Sequence, residues 1–275
     1  MPCLIRLLTP DGLAPVNYSA DSLAAASAHE PDGVYTVART FNTTQVLKFD
    51  AHLDRLEDSA RREGIPLRLD RARLRAALRQ VITEAGFGDA RFRITVPARQ
   101  PDHLILSVEP FTPPSSDLYH RGARCQTVPH ERRSNPAAKT TDWMEARKRI
   151  QDTFAPGIYE GLLLSEDGHI LEGMTSNFYA VVDGYLHTAG EGVLPGIAQQ
   201  IVLEIAPAIV PVKREPIHIT QLVSLDEAFI SSASRGIMPV VEIDGIHIGD
   251  GFPGPITLAL REAYLVWVNA NLEEL

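Results

Sequence analysis

Lys139 has the sequence surroundings that most favour amine chemistry in this chain. It follows a short apolar approach that contains a proline, Asn135-Pro-Ala-Ala, and it precedes a predicted helix. A lysine that is partly removed from water has a lowered pKa, and its free amine can form a Schiff base with a carbonyl group. The alternative interpretation is a lysine on the protein surface, where most lysines lie.

Two charged residues elsewhere could hold a phosphorylated ring compound. Arg55 lies on a predicted amphipathic helix, and the planar fork of an arginine suits a phosphate. Glu172 lies between an apolar strand and a Gly-Met-Thr-Ser-Asn turn. Its carboxylate could pair with a protonated pyridine nitrogen, which makes the ring a better electron sink. The alternative for Arg55 is a solvated position on the helix surface, and the alternative for Glu172 is a carboxylate that caps the backbone of the turn.

Two backbone segments could bind an anion. Residues 194–198 (Leu-Pro-Gly-Ile-Ala) open a predicted helix, and the first N–H groups of a helix have no partner within it. Residues 231–236 (Ser-Ser-Ala-Ser-Arg-Gly) follow a buried strand and could present N–H groups and hydroxyls to a phosphate or carboxylate. An ordinary loop is the alternative for the second segment.

The elements that must position these residues follow from the spacing of apolar positions. Predicted strands cover 34–40, 45–49, 91–96, 104–109, 124–129, 161–165, 170–171, 177–182, 185–188, 227–231 and 239–243, and the first two are predicted to form a hairpin. Predicted helices cover 51–63, 70–85, 141–154, 197–206 and 255–271, and Asp50 is the predicted N-cap of the first.

The order of these elements favours two α+β-like domains over a doubly wound sheet, because strands and helices do not alternate regularly. The sequence contains neither a Gly-x-Gly-x-x-Gly motif after a strand nor a Walker loop. Residues 110–117 are rich in proline and serine, which disfavours helix and sheet. We therefore predict an N-terminal α/β domain at 1–112, a linker at 113–118 and a C-terminal domain at 119–275.

The composition and net charge of the chain indicate which partners and which cellular compartment to expect. The chain has 275 residues, 44% hydrophobic residues and a net charge of -9, so a nucleic acid is not an expected partner. No apolar run approaches the roughly 20 residues that cross a bilayer, and the N-terminus lacks a signal-peptide pattern. Cys3 and Cys125 lack metal-ligand spacing and indicate a reducing compartment, so we expect a cytoplasmic protein without a metal.

In their order along the chain, these motifs resemble the class IV aminotransferases, the fold-type-IV pyridoxal phosphate enzymes. Residues 52–56 and 59–60 resemble the family's His-x-x-Arg-Leu-x-x-Ser-Ala helix, and residues 172–178 its Glu-Gly-x-x-Ser-Asn motif, which is the most specific match. Residues 32–35, 194–197 and 226–240 resemble its first strand, its phosphate turn and its last motif. The resemblance extends from about residue 31 to residue 241.

The resemblance implies a two-domain fold with an N-terminal α/β sandwich and a C-terminal pseudo-barrel, a homodimer, and pyridoxal 5′-phosphate as cofactor. It implies that Lys139 is the catalytic lysine. The cofactor-binding residues that it implies are Arg55, Lys139, Glu172, Ser176, Asn177, Gly196, Ile197, Ala198, Ser232, Ala233 and Ser234.

The sequence departs from the family at several of these positions. Ala198 and Ala233 stand where a threonine or serine hydroxyl is usual, while backbone N–H groups remain at both. A lost hydrogen bond to a charged group costs about 1.5–3 kcal/mol, so these alanines are expected to weaken cofactor binding. Asp142 replaces a frequent asparagine, and Pro31 replaces the first glycine of a Gly-Asp-Gly motif.

Candidate substrate-binding residues are Tyr35, Arg91, Arg93, Trp143 and Arg235. Tyr35 occupies a family position that faces the active site. Arg91 and Arg93 alternate on one strand face, where they would favour a substrate with a carboxylate; the alternative is the solvent face of an edge strand. Trp143 follows the lysine, and Arg235 lies beside the second anion-binding segment.

The leading hypothesis is transfer of an amino group between a branched-chain or D-amino acid and a 2-oxo acid. The loop at 97–102 is shorter than the carboxylate-binding Arg-x-His of known D-amino acid enzymes would need, which argues weakly against that particular mode of binding. A lyase of the aminodeoxychorismate type, an (R)-selective amine transaminase and a cofactor-free binding relative are the alternatives.

Overall fold

The computed structural model describes residues 2–275. Strands β1 to β17 are Leu4–Thr9, Gly12–Pro15, Gly33–Arg39, Gln45–Leu47, Ala90–Pro97, Leu104–Pro110, Ala123–Val128, Glu160–Leu164, His169–Gly173, Ser176–Val182, Tyr185–His187, Val212–Lys213, Ile217–His218, Glu227–Ser232, Gly236–Ile243, Ile246–His247 and Leu272–Glu274. Helices α1 to α7 are Leu23–Ala26, Phe49–Arg62, Arg71–Ala85, Ser116–Arg121, Asp142–Gln151, Ile197–Ile205 and Pro255–Ala270.

The chain divides into two compact units. The first comprises the chain up to Thr112 together with Ala138–Ala146 and Asn271–Leu275, and the second comprises Pro113–Ala137 and Arg147–Ala270. The segment that contains Lys139 therefore belongs to the first unit although it lies in the second half of the sequence. The predicted domain boundaries at residues 112 and 119 stay a prediction.

The first unit is built on an antiparallel sheet in the order β2-β1-β6-β5-β3. One face of this sheet packs against α2 and α3 in a core that includes Phe92, Ile94, Leu56 and Leu78. Because side chains alternate across a strand, the residues between those core positions point to the other face. Strand β3, which carries Tyr35, is at the edge of the sheet.

The second unit contains a closed barrel of strands. The order β10-β14-β15-β7-β8-β9 returns to its start because β9 also pairs with β10. The pairs β15–β7 and β7–β8 are parallel, and the remaining pairs of the ring are antiparallel. Its interior is apolar, with Leu162, Phe178 and Ile230 among the buried residues. The predicted α+β class and the C-terminal barrel are confirmed.

Several predicted elements need correction. The predicted hairpin is limited to its turn: Phe41 and Gln45 exchange two backbone hydrogen bonds across residues 42–44, and β4 then pairs with β17 at the C-terminus. Helix α2 begins at Phe49, so Asp50 lies in its first turn and is not the N-cap. Helix α4 begins at Ser116, inside the predicted linker. Strand β5 has partners on both sides and is not an edge strand. The hairpin of β1 and β2 was not predicted.

No helix within residues 2–275 combines the length and the apolar content that a bilayer crossing requires.

The C-terminal strand supplies the cap of the helix that carries Arg55. The residue before α2, Lys48, has a left-handed backbone and no side-chain cap hydrogen bond. The Phe49 N–H group instead donates to the carboxylate of Glu273 at 2.7 Å. Pairing of β17 with β4 places Glu273 there, and Arg75 binds the same carboxylate at 3.2 Å. A helix start without a local cap is thus stabilised by a residue distant in sequence.

Replacing Glu273 by alanine is expected to lower the free energy of unfolding of the first unit by about 1–2 kcal/mol, since it leaves the Phe49 N–H group without its acceptor. Urea denaturation measures the loss. Glu274→Ala is the matched control, because Glu274 is exposed and its bond to Arg79 is worth less than about 1 kcal/mol. Equal losses in the two variants would contradict a capping role.

Candidate active site

The backbone around Lys139 is held against the edge of β3. The Tyr35 N–H group donates to the Lys139 carbonyl at 2.9 Å, and the Thr141 N–H group donates to the Gly33 carbonyl at 2.9 Å. The Lys139 N–H group donates to the Ser59 hydroxyl on α2 at 3.1 Å. The Lys139 amine lies 4.8 Å from the centroid of the Tyr35 ring. These contacts fix the main chain of the lysine and place its amine over an aromatic face.

Arg55 belongs to a buried polar network on the opposite side of the same strand. Its guanidinium donates to the Thr36 hydroxyl at 3.2 Å, and that hydroxyl is bonded to His52 Nδ1 at 2.9 Å. Ser59 donates to the Arg55 carbonyl at 2.8 Å, which connects this network to the backbone of Lys139. Burial, followed by the charges of Arg55 and Lys139, lowers the pKa of His52 well below its usual 6.5. His52 is therefore neutral at pH 7.

Glu172 is a buried carboxylate of the second unit, with 2% of its surface exposed. It forms an ion pair with Arg133 Nε at 3.3 Å and accepts the Leu194 N–H group at 3.1 Å. The Asn177 amide donates to the Leu194 carbonyl at 2.9 Å. Glu172 and Asn177 thus hold the segment that opens α6. Arg133 supplies the counter-charge that a buried carboxylate requires.

The start of α6 leaves room for nothing larger than glycine. A Cβ atom on Gly196 would lie 2.0 Å from Asn177 Oδ1. Ile197 and Ala198 form the first turn of the helix, where N–H groups have no acceptor within the helix itself. Such a turn is suited to binding a phosphate or a carboxylate.

The second predicted anion-binding segment is the turn that joins β14 to β15. Ser232, Ala233, Ser234 and Arg235 form it, and the Arg235 N–H group donates to the Ser232 carbonyl at 3.3 Å. The Arg235 guanidinium is bonded to Thr175 and Glu160. Burial opposes the charge of Arg235, but Glu160 and Tyr159 together outweigh that effect and the pKa of Arg235 is raised. The guanidinium that the sequence suggests as a substrate ligand already has partners within the chain.

Arg93 and Arg91 also have partners within their own unit. Arg93 is 3% exposed, and Glu30 binds it through the guanidinium Nε at 3.0 Å and through a terminal nitrogen. Thr95 and Ser107 donate to the same carboxylate. Arg91 is bonded to Glu109 at 3.4 Å. Since Glu30 compensates the charge of Arg93, the predicted recognition of a substrate carboxylate by this arginine has no support in the geometry.

Comparison with known proteins identifies the family. The pattern of the amino-transferase class IV family matches residues 33–243. The chain belongs to the class IV aminotransferases. The predicted family and the predicted enzyme class are confirmed, and pyridoxal 5′-phosphate is the cofactor expected for that class.

Relatives and solved structures agree with this family. The D-alanine aminotransferase of Listeria innocua is 26% identical over 280 residues, which cover 95% of each chain. The branched-chain-amino-acid aminotransferase of Pseudomonas aeruginosa is 25% identical over 271 residues, 89% of this chain and 87% of the relative. The T.th. branched-chain amino acid aminotransferase, solved with pyridoxamine 5′-phosphate, has a TM-score of 0.82 and 22% identity, and 98% of each chain is covered. This likeness confirms the fold-type-IV fold.

Some polar residues of this class IV aminotransferase were not predicted. Thr36, His52 and Ser59 connect Arg55 to Lys139; His52 and Ser59 belong to the predicted helix motif, but the sequence indicates no role for either of them. Arg133 lies in a charged run, Glu131-Arg-Arg-Ser, that is typical of a surface loop. Glu160 begins a strand whose remaining residues are apolar. A charge at the start of an apolar strand was the one signal available for Glu160.

Ser176 and Trp143 are two further residues that the sequence suggests for the site. Ser176 is buried and donates to Glu160 at 3.2 Å. Trp143 is 5% exposed and lies in the first turn of α5, where its backbone N–H group donates to the Asp142 carboxylate at 2.8 Å. Their roles toward cofactor and substrate stay predictions.

Replacing His52 by asparagine is expected to flatten the acid side of the stability curve. Below pH 6.5 the unfolded chain binds a proton at His52 that the folded protein does not bind, so the wild type loses stability as the pH falls. Asparagine cannot titrate, and its side chain can still bond the Thr36 hydroxyl. The wild type should lose up to about 1.4 kcal/mol more per pH unit than the variant between about pH 6 and pH 5.

Urea midpoints measured from about pH 8 to pH 5, across the range in which a free histidine titrates, test this prediction. Parallel pH profiles for the wild type and His52→Asn would show that His52 is not held neutral in the folded protein.

Proposed function

We propose that this protein uses pyridoxal 5′-phosphate to transfer an amino group between an amino acid, of the branched-chain or D-alanine type, and a 2-oxo acid. The observation that carries the proposal is the anchoring of Lys139, whose backbone is bonded to β3 and to Ser59 while its amine lies over the Tyr35 ring. A lysine held in this way is suited to covalent chemistry with a carbonyl group.

The groups present fit the cofactor. The buried, arginine-paired Glu172 offers a negative acceptor to a protonated pyridine nitrogen. The start of α6 excludes a side chain at Gly196, and the N–H groups of its first turn would be donors to an anion. The buried guanidinium of Arg55 supplies a positive charge for a phosphate.

Each residue has a distinct role in the proposed site. As the resemblance implies, Arg55, the first turn of α6 and the turn Ser232–Ser234 would bind the phosphate, and Glu172 would bind the ring nitrogen. Ser176 and Asn177 fix the turn that follows Glu172. When bound, pyridoxal phosphate supplies an electron sink that stabilises negative charge at the substrate α-carbon.

Lys139 is the catalytic residue. Its Nζ would hold the cofactor, and as a free amine it would accept the proton from the substrate α-carbon. The Tyr35 ring supports the amine when it is charged, since a cation over an aromatic face is stabilised. The fixed backbone lets the side chain move while its attachment point stays in place.

The two alanines at the phosphate-binding segments set a limit on cofactor affinity. Ala198 and Ala233 supply N–H groups but no hydroxyls, so we propose that backbone donors and Arg55 bind the phosphate.

As the resemblance implies, we propose that the enzyme acts as a homodimer, and that it is cytoplasmic.

Lys139→Ala is expected to lower the rate of amino transfer by about 10³-fold or more, because it removes both the covalent attachment and the proton-transfer group. The assay incubates holoenzyme with 2-oxoglutarate and a panel of L-, D- and branched-chain amino acids, and measures glutamate. Lys148→Ala is the control, since Lys148 is exposed on the helix that follows Lys139 and its loss should not change the rate.

The same panel separates the competing functions. A wild type that forms no glutamate from any donor would contradict transamination. Release of pyruvate from an aminodeoxychorismate-type substrate without amino transfer would favour the lyase.

A further inference from the structure

Arg235 connects the turn that follows β14 to the turn between β9 and β10. Its Nε donates to the Ser232 hydroxyl at 2.8 Å. One terminal nitrogen donates to the Thr175 hydroxyl at 2.7 Å, to the Thr175 carbonyl at 3.1 Å and to Glu160 Oε2 at 3.2 Å. One guanidinium therefore fixes two turns that each carry predicted cofactor-binding residues.

The carboxylate of Glu160 binds the same turn between β9 and β10. Its side chain is 1% exposed, and Oε2 accepts hydrogen bonds from the Thr175 hydroxyl and from the Ser176 hydroxyl, the latter at 3.2 Å. Burying a carboxylate is costly unless a counter-charge and hydrogen bonds compensate it. Arg235 supplies the counter-charge, so the two residues support each other.

The side chains of the turn Ser232–Ser234 contribute little to fixing its shape. Ala233 and Ser234 are small, and Ala233 lacks the hydroxyl that could add a local hydrogen bond. The Tyr119 hydroxyl donates to the Arg235 carbonyl at 2.6 Å, which holds the far side of the turn. The planar fork of an arginine can bind several acceptors at once, whereas a lysine presents a single point charge.

We propose that Arg235 is a positioning residue for the cofactor phosphate: paired with Glu160, it holds the turn Ser232–Ser234 in the shape that presents its N–H groups and hydroxyls to the anion. The inference rests on the proposed function, since it assigns the phosphate of pyridoxal 5′-phosphate to this turn. It replaces the prediction that Arg235 binds the substrate.

The test compares two ligands that differ in the phosphate. Dissociation constants of pyridoxal 5′-phosphate and of pyridoxal are measured by absorbance titration of the cofactor-free protein. Arg235→Gln should weaken binding of pyridoxal 5′-phosphate by about 10- to 100-fold, because preorganised donors to a charged group are lost, and should change binding of pyridoxal by less than about threefold. Arg235→Lys should fall between the wild type and Arg235→Gln.

Arg124→Gln is the matched control. Arg124 pairs with Glu242 at 2.7 Å in the same unit, on a strand away from both turns, so both dissociation constants should match those of the wild type. Circular dichroism shows whether each variant is folded. Arg235→Lys keeps the charge beside Glu160 and provides the test if Arg235→Gln does not fold.

Two results would overturn the proposal. One is an equal loss of affinity for pyridoxal and pyridoxal 5′-phosphate, which would mean a general structural role. The other is an unchanged affinity for pyridoxal 5′-phosphate in folded Arg235→Lys and Arg235→Gln. A wild type that binds neither ligand would instead refute the proposed function itself.

Discussion

The hydrogen bonds between residues 139–141 and the edge of β3 are the constraint on which the proposed chemistry depends. An edge strand presents unpaired N–H and C=O groups, and here the Lys139 segment uses them. The Ser59 hydroxyl adds a contact from α2, and α2 is capped in turn by Glu273. The position of one amine therefore depends on a strand, a helix and the C-terminal residues of the chain.

Ion pairs between an arginine and a buried carboxylate form a second common feature. Arg93 pairs with Glu30, Arg133 with Glu172, and Arg235 with Glu160, and each carboxylate is almost fully buried. A buried ion pair adds little net stability but fixes geometry, because breaking it leaves an uncompensated charge. These pairs change the interpretation of the arginine-rich sequence, since Arg93 and Arg235, suggested as ligands for a substrate, are bonded to carboxylates of the chain.

Sequence reasoning could propose the candidate residues because their motifs are local. The Glu-Gly-x-x-Ser-Asn run and the Leu-Pro-Gly turn each lie within a few residues, and most strands and helices were predicted from apolar periodicity. It missed pairings between distant residues. Residues 33 and 141 are 108 apart, and β4 pairs with a strand at the C-terminus that no local pattern indicates. The ion pairs could not be predicted for the same reason. Glu30 and Arg93 are 63 residues apart, and nothing in either local sequence indicates that they are in contact.

The most direct test of the central claim is to locate the cofactor on the chain. The protein is incubated with pyridoxal 5′-phosphate, reduced with borohydride and digested, and the labelled peptide is identified by mass spectrometry. We predict the label on Lys139. A label on Lys48, Lys148 or Lys213 instead, or a chain that takes up no label, would contradict the assignment.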